Sequence, residues 1–288
     1  MPSYSTIVTH PGGAHKDEFL ACSVLLAMHP VPIIRREPTA EDMSDSSVCV
    51  VDVGHVHDPA LNKFDHHQLP RDEPPTCALS LVLKNFGFYE EAREFCEWLE
   101  PAEWFDCRGP FATADWLGVD RDIPAKLHSP IDGALLRAFS NMSRLDSGTP
   151  LWEIMKITGR DLVDYLNTLR QRLSLLETAA EFWKLQIGGR PAEVVFIPRT
   201  DPPLDDPSMG LDRFVQRRGR SETVIGTVTP DRRGLGYGLS RFRDNARLDF
   251  TRIAGNADVH FAHARGFVAK TSASQVERLK ALLIEAGG

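Results

Sequence analysis

Histidines and aspartates crowd into three places early in the chain. His10, His15 and Asp17 form a His-x-x-x-x-His-x-Asp pattern just after the apolar pair Ile7-Val8. Asp52 follows Val50-Val51, and Asp65-His66-His67 follows Phe64. Imidazole and carboxylate together bind first-row divalent metals, and a set without thiolate favours a manganese-like ion over a structural zinc. Several such groups can hold more than one ion. Two ions about 3.5–4 Å apart activate a water and hold phosphoryl oxygens for in-line attack, so no protein nucleophile is required.

The elements around these residues would bring them together. Ser5–Thr9 reads as a strand, and Pro11, Gly12 and Gly13 force a loop. Asp17 and Glu18 suit a helix N-terminus, with Phe19–Met28 continuing as a buried helix that Pro30 and Pro32 end. Ile33–Arg36 and Cys49–Val53 read as buried strands, and residues 76–108 as helical, with Leu79, Leu83, Phe95 and Leu99 among the apolar positions. Strand alternating with helix implies an α/β class: a mostly parallel sheet with covering helices, followed by a smaller α+β domain. Ligands of open α/β sheets bind outside the carboxyl ends of the strands, and the three His/Asp groups fall there. Leu162, Leu166, Leu169, Leu173, Leu176, Ala180 and Trp183 alternate spacings of four and three, which predicts one helix of about 27 residues, ended by Gly188-Gly189. Val194–Ile197, Val224–Val228 and Val259–Ala262 read as strands, and Ala273–Ala286 as a last amphipathic helix. The expected organisation is a metal-binding catalytic domain over 1–150, a long connecting helix over 151–187 and a substrate-binding domain over 188–288.

The chain has 288 residues, 42% of them hydrophobic, and a formal net charge of −7. No run of about 18 apolar residues occurs, which excludes a helical membrane span. The N-terminus lacks the basic-then-apolar pattern of a secretory leader. The five cysteines are scattered with no Cys-x-x-Cys, which fits reduced thiols in a cytoplasmic protein. Charge is uneven. Residues 1–187 carry 17 basic and 28 acidic side chains, whereas 188–288 carry 16 basic and 12 acidic. Most of the later cations are arginines, among them Arg217, Arg218, Arg220, Arg232, Arg233, Arg241, Arg243, Arg247 and Arg265. Arginine suits bidentate phosphate contacts, and Tyr237 and Phe242 among them could stack on bases. Gly234-x-Gly236-x-Gly238 has no helix signal after it and reads as a turn. His55 and His57 read as loop residues near the site, and His29 and His128 as surface residues.

The order His10…His15-x-Asp17, Val51-Asp52-Val53-Gly54 and Asp65-His66-His67 resembles the DHH phosphoesterase superfamily. More narrowly, Thr9–Glu18, Val50–Gly54 and Phe64–Gln68 are similar to the melanocyte-proliferating-gene-one family of metal-dependent hydrolases, which includes a 3′→5′ RNA exonuclease. The likeness covers residues 5–68, with shorter stretches at 98–109 and at His260–Lys270, where His263-Ala-Arg265-Gly266-Phe267 is similar to the family's His-x-x-Gly-Phe segment. The resemblance implies that His10, His15 and Asp52 bind one divalent ion. It implies that Asp17, Asp52, His66 and Asp106 bind a second, with Asp52 bridging. His67 would face the phosphate, and Asp65 would orient the histidines by hydrogen bonding. The family pattern Asp-Asn-Gly is here Asp106-Cys107-Arg108-Gly109, which leaves Glu103 as an alternative to Asp106. Pro11 and Ala14 also depart from the family's usual Asn and Phe.

These features together imply a hydrolase with two divalent ions, manganese favoured, that cleaves short single-stranded RNA or oligonucleotides. Arg241, Arg243, His263 and Arg265 are the expected substrate contacts. No membrane partner is expected, and a homodimer is compatible with the sequence. The alternatives are hydrolysis of a small phosphate compound, such as pyrophosphate or a dinucleotide, and a non-catalytic nucleic-acid-binding scaffold.

Overall fold

The computed structural model describes residues 3–127 and 129–288. His128, read above as a surface residue, lies outside them. The chain divides into two compact units, Met1–Asn167 and Thr168–Gly288. Each is built on a six-stranded sheet. No helix among the described residues is long and apolar enough to cross a membrane.

The first sheet contains β1 (Thr6–Thr9), β2 (Ile33–Arg35), β3 (Val48–Val51), β4 (His57–Asp58), β5 (Lys63–Phe64) and β6 (Arg144–Leu145). Their order is β4-β5-β3-β1-β2-β6. The four central strands run parallel, and the two edge strands pair antiparallel to their neighbours. Parallel strands covered on both faces need continuous apolar runs. Ile7, Val8, Cys49, Val50 and Val51 supply them and are fully buried. The register sets Thr9 beside Val51, and Val51 beside Phe64. The next residue on each strand, His10, Asp52 and Asp65, therefore leaves the sheet at one carboxyl edge.

Helices cover this sheet. The Lys16–Met28 helix is tied to the strand side by the Tyr4 hydroxyl, which donates to the Leu25 carbonyl at 2.9 Å. Its backbone is also approached by Gly159 of the Pro150–Ala179 helix, where a β-carbon would lie 1.8 Å from the Ser23 carbonyl oxygen. Only glycine permits that contact. The 76–108 region forms three helices, Ala78–Asn85, Tyr89–Phe95 and Leu99–Leu117, and buries Leu79, Leu83, Phe95 and Leu99 as expected.

The second sheet contains β7 (Glu181–Ile187), β8 (Arg190–Phe196), β9 (Val224–Pro230), β10 (Tyr237–Arg241), β11 (Val259–Ala262) and β12 (Val268–Thr271), in the order β11-β12-β10-β9-β8-β7. Here β8 and β9 run parallel and every other pair is antiparallel. The sheet topology is thus mixed, and the expected mostly parallel arrangement is confined to the centre of the first sheet. The second core gathers Trp183, Phe196, Leu239, Phe250 and, from the Val276–Gly287 helix, Leu279, Leu282 and Leu283.

The long helix is also corrected. It runs Pro150–Ala179, with Leu162, Leu166, Leu169, Leu173 and Leu176 buried, and the division between the two units falls within it. Trp183 is not on it. Residues 181–187 form β7, in which Trp183 and Ile187 are the buried positions. Their spacing from Leu176 mimics a helical stripe by coincidence. Gly188 and Gly189, with φ of 58° and 70°, make the two-residue turn between β7 and β8, a geometry that needs left-handed backbone at both positions.

Candidate metal centre

At the carboxyl edge of the first sheet, the strand-end residues meet two helices. His15 caps the Lys16–Met28 helix, which places Asp17 in its first turn. Asp52 ends β3 with φ at 58°, left-handed backbone that a side-chain-bearing residue adopts at a cost of about 1–2 kcal/mol. Asp106 comes from the Leu99–Leu117 helix, three residues before that helix breaks at Gly109.

These side chains converge. His10 Nε2 lies 3.4 Å from Asp52 Oδ2, and His66 Nε2 lies 3.0 Å from Asp52 Oδ1 and 3.0 Å from Asp106 Oδ2. His15 Nδ1 lies 3.4 Å from Asp106 Oδ1. Four interlocking groups have ligand atoms within 4.8 Å of one another: His10/His15/Asp52, His15/Asp17/Asp106, His66/Asp106/Cys107 and Asp52/Asp65/His66/His67. Asp52 belongs to both histidine-rich ends of the cluster, the position a bridging carboxylate would need.

Five atoms decide what the cluster is for. Asp17 Oδ1, both Asp52 carboxylate oxygens, His66 Nε2 and Asp106 Oδ2 are buried without a hydrogen-bond partner. Although His66 Nε2 is close to two carboxylates, neither approach has hydrogen-bond geometry. Burying such groups unsatisfied costs at least about 1–3 kcal/mol each. Divalent cations would relieve these atoms, and the oxygen and imidazole donors suit them.

Electrostatics favour positive charge here. The Asp52 and Glu18 carboxylates push the His10 imidazole up to about 11. Burial opposes charge on His66, but the neighbouring Asp106 and Asp52 outweigh it and push it up to about 12. The Asp106 carboxylate raises His15 as well. Burial, with Asp52 and Asp106 nearby, drives Asp17 well above the usual carboxylate range.

Asp65 lies beside these atoms but is itself fully partnered. It is fully buried, and it accepts from the His67 backbone N–H at 3.0 Å, from His67 Nδ1 at 2.6 Å and from the His55 backbone N–H at 2.6 Å. Asp106 stands in the cluster and Glu103 does not. Glu103, one turn earlier, accepts from Ser80 Oγ at 2.6 Å, Tyr89 OH at 2.9 Å and Arg93 Nη1 at 3.0 Å.

Two residues escaped the sequence reading in this role. Glu18, noted only as a helix-start acid, is fully buried 3.2 Å from His10 Nε2, and accepts from Thr9 Oγ1 at 2.7 Å and the His15 N–H at 3.4 Å. Arg35 donates to Glu18, to the Gly12 carbonyl and to the Phe139 carbonyl, and lies over the Phe139 ring at 4.5 Å. Together they fix the 10–15 loop. The capping spacing His15-x-x-Glu18 was the available signal for Glu18; nothing local marks Arg35.

In the second unit, the expected substrate contacts are largely engaged. Arg241 donates to the Leu248 carbonyl at 2.6 Å and to Asp244 at 3.0 Å, and Arg243 makes a two-pronged pair with Asp212 at 2.7 and 2.8 Å. His263 packs on Phe267 with ring centroids 4.1 Å apart, and its Nδ1 accepts from the Arg265 N–H. The Arg265 side chain is exposed. Tyr237 and Phe242 are buried, at 6% exposure each, so neither offers a ring face for stacking on a base, contrary to expectation.

An α/β sheet with a His/Asp cluster of this composition at its carboxyl edge is consistent with a metal-dependent phosphohydrolase. Residues 6–87 match the family model MYG1_exonuc, described as an uncharacterised protein family (UPF0160). The matched segment contains β1 to β5 and every residue of the cluster except Asp106 and Cys107. A comparison with curated proteins finds no match.

Proposed function

We propose that this protein is a manganese-dependent phosphodiesterase that trims short single-stranded RNA or oligonucleotides from the 3′ end, on a DHH-like catalytic unit. The observation that carries this reading is the set of five buried, unpaired ligand atoms at the carboxyl edge of the sheet. The exonuclease label of the family matched over 6–87 supports it. His10, His15 and Asp52 would hold one ion; Asp17, Asp52, His66 and Asp106 would hold the second. Ions held there supply Lewis acidity and an activated water for phosphoryl transfer.

The chain's own groups have separate tasks. Glu18 and Arg35 keep His10 and the 10–15 loop in place. Asp65 fixes the His67 ring through Nδ1, which leaves Nε2 for a phosphate oxygen. Residues 1–150 would carry the catalysis and 188–288 the substrate contacts, through Arg241, Arg243, His263 and Arg265. Five free cysteines, four of them buried, fit a cytoplasmic setting.

The test is cleavage of 3′-labelled and 5′-labelled short RNAs with Mn²⁺, by wild type and by the double variant Asp65→Ala/His66→Ala. We expect stepwise loss from the 3′ end and no cleavage by the variant. Equal cleavage by the variant, or inert RNA in every arm, would overturn the reading. Phosphate release from pyrophosphate or a dinucleotide alone would move the assignment to a small-molecule phosphohydrolase.

A further inference from the structure

The sequence reading left His55 as a loop residue. The structure gives it a costly backbone and a specific neighbour. Its φ is 55°, in the left-handed region that glycine favours and where a side chain is strained. The residue is exposed, so no core packing compensates the strain. Its N–H donates to Asp65 Oδ2 at 2.6 Å, while Asp65 Oδ1 holds both His67 Nδ1 and the His67 N–H. One buried carboxylate thus holds the His67 ring and the backbone of both histidines. Their rings stand 5.9 Å apart at 70°, and His67 in turn lies 4.4 Å from the ring of His66. Residues in strained backbone cluster at active sites and ligand clamps.

We propose that His55 is a second phosphate-contacting residue, paired with His67 at the outer side of the metal centre. The inference rests on the phosphodiesterase reading and extends it by naming a substrate contact outside the stretches Thr9–Glu18, Val50–Gly54 and Phe64–Gln68. Asp65 holds the His67 ring and anchors the His55 backbone, and the two neighbouring imidazoles can each donate to one phosphate group.

The test uses the full chain loaded with Mn²⁺ and inorganic phosphate as the probe, with affinity read by calorimetry. His55→Gly removes the ring and relieves the backbone, so its melting temperature and bound Mn²⁺ should equal or exceed those of wild type. Its phosphate affinity should fall about tenfold, the loss of roughly one charge-assisted hydrogen bond. His55→Asn, which tolerates left-handed backbone and keeps a donor, should recover part of that loss. His67→Ala serves as the reference for a lost phosphate contact. If His67→Ala weakens phosphate binding while His55→Gly binds as wild type does, the role of His55 is overturned and the phosphodiesterase reading stands. If loaded wild type takes up no phosphate, both are overturned.

Discussion

A titration test follows directly from the histidines of the cluster. Without a metal, His10 and His66 are pushed up to about 11 and about 12, so both are protonated at neutral pH. A metal ligand must be a neutral imidazole, so ion binding has to expel protons. Their charge stabilises the metal-free fold fully below the ordinary histidine range, and that contribution is lost as pH rises through the raised values. The ion gains what the protons lose. At fixed Mn²⁺, the rise in melting temperature should therefore grow from pH 6 to pH 8, and calorimetry in buffers of different ionisation enthalpy should show at least one proton released per ion. A pH-independent shift with no proton release would contradict the ligand assignment. His10, His15, Asp52 and Asp65-His66-His67 were legible in the sequence because each sits within a few residues of a strand end. Asp106 and Glu103 were not separable, since they lie three apart on one helix. Ser80, Tyr89 and Arg93, all distant in pattern terms, decide which of the two faces the cluster.

Elements were legible where local pattern and tertiary packing agree. The buried runs at β1 and β3 and the Leu162–Leu176 stripe are such cases. They were misread where a strand copied helical spacing, as at Trp183, and where edge strands of two residues carry too little pattern to be seen. Packing between elements was invisible. Nothing in the sequence around Gly159 marks it, yet it admits the backbone of the Lys16–Met28 helix. Gly159→Ala would gain about 1 kcal/mol in helix propensity. It would also force a β-carbon against the Ser23 carbonyl, an overpacking that costs about 1–3 kcal/mol or more. A contact of 1.8 Å with backbone belongs at the upper end of that range. We expect a net loss of about 2 kcal/mol in urea unfolding, and unchanged or raised stability would show that the helices can separate at little cost.

For the whole molecule, the formal charge of −7 averages an acidic first part and a basic second part. The two compact units have separate sheets, and the core around Trp183, Leu239 and Leu282 lies entirely within the second. Among the described residues, the His/Asp groups that could hold a metal all lie in the first. Mn²⁺ should accordingly slow amide hydrogen exchange in β1, β3, β5 and the helices bearing Asp17 and Asp106, and leave β7 to β12 as they were. Equal protection throughout both sheets would mean that the units do not open separately.

The short loop after β3 bears on how this chain could change over generations. Asp52 and His55 both hold left-handed backbone there without being glycine. Populations selected only for heat resistance tend to discard strain that function alone maintains. Under such selection, with no demand on chemistry, glycine at 52 and 55 would be among the first gains to spread. A lineage keeping acid and imidazole at those positions is one in which the sheet edge is still in use.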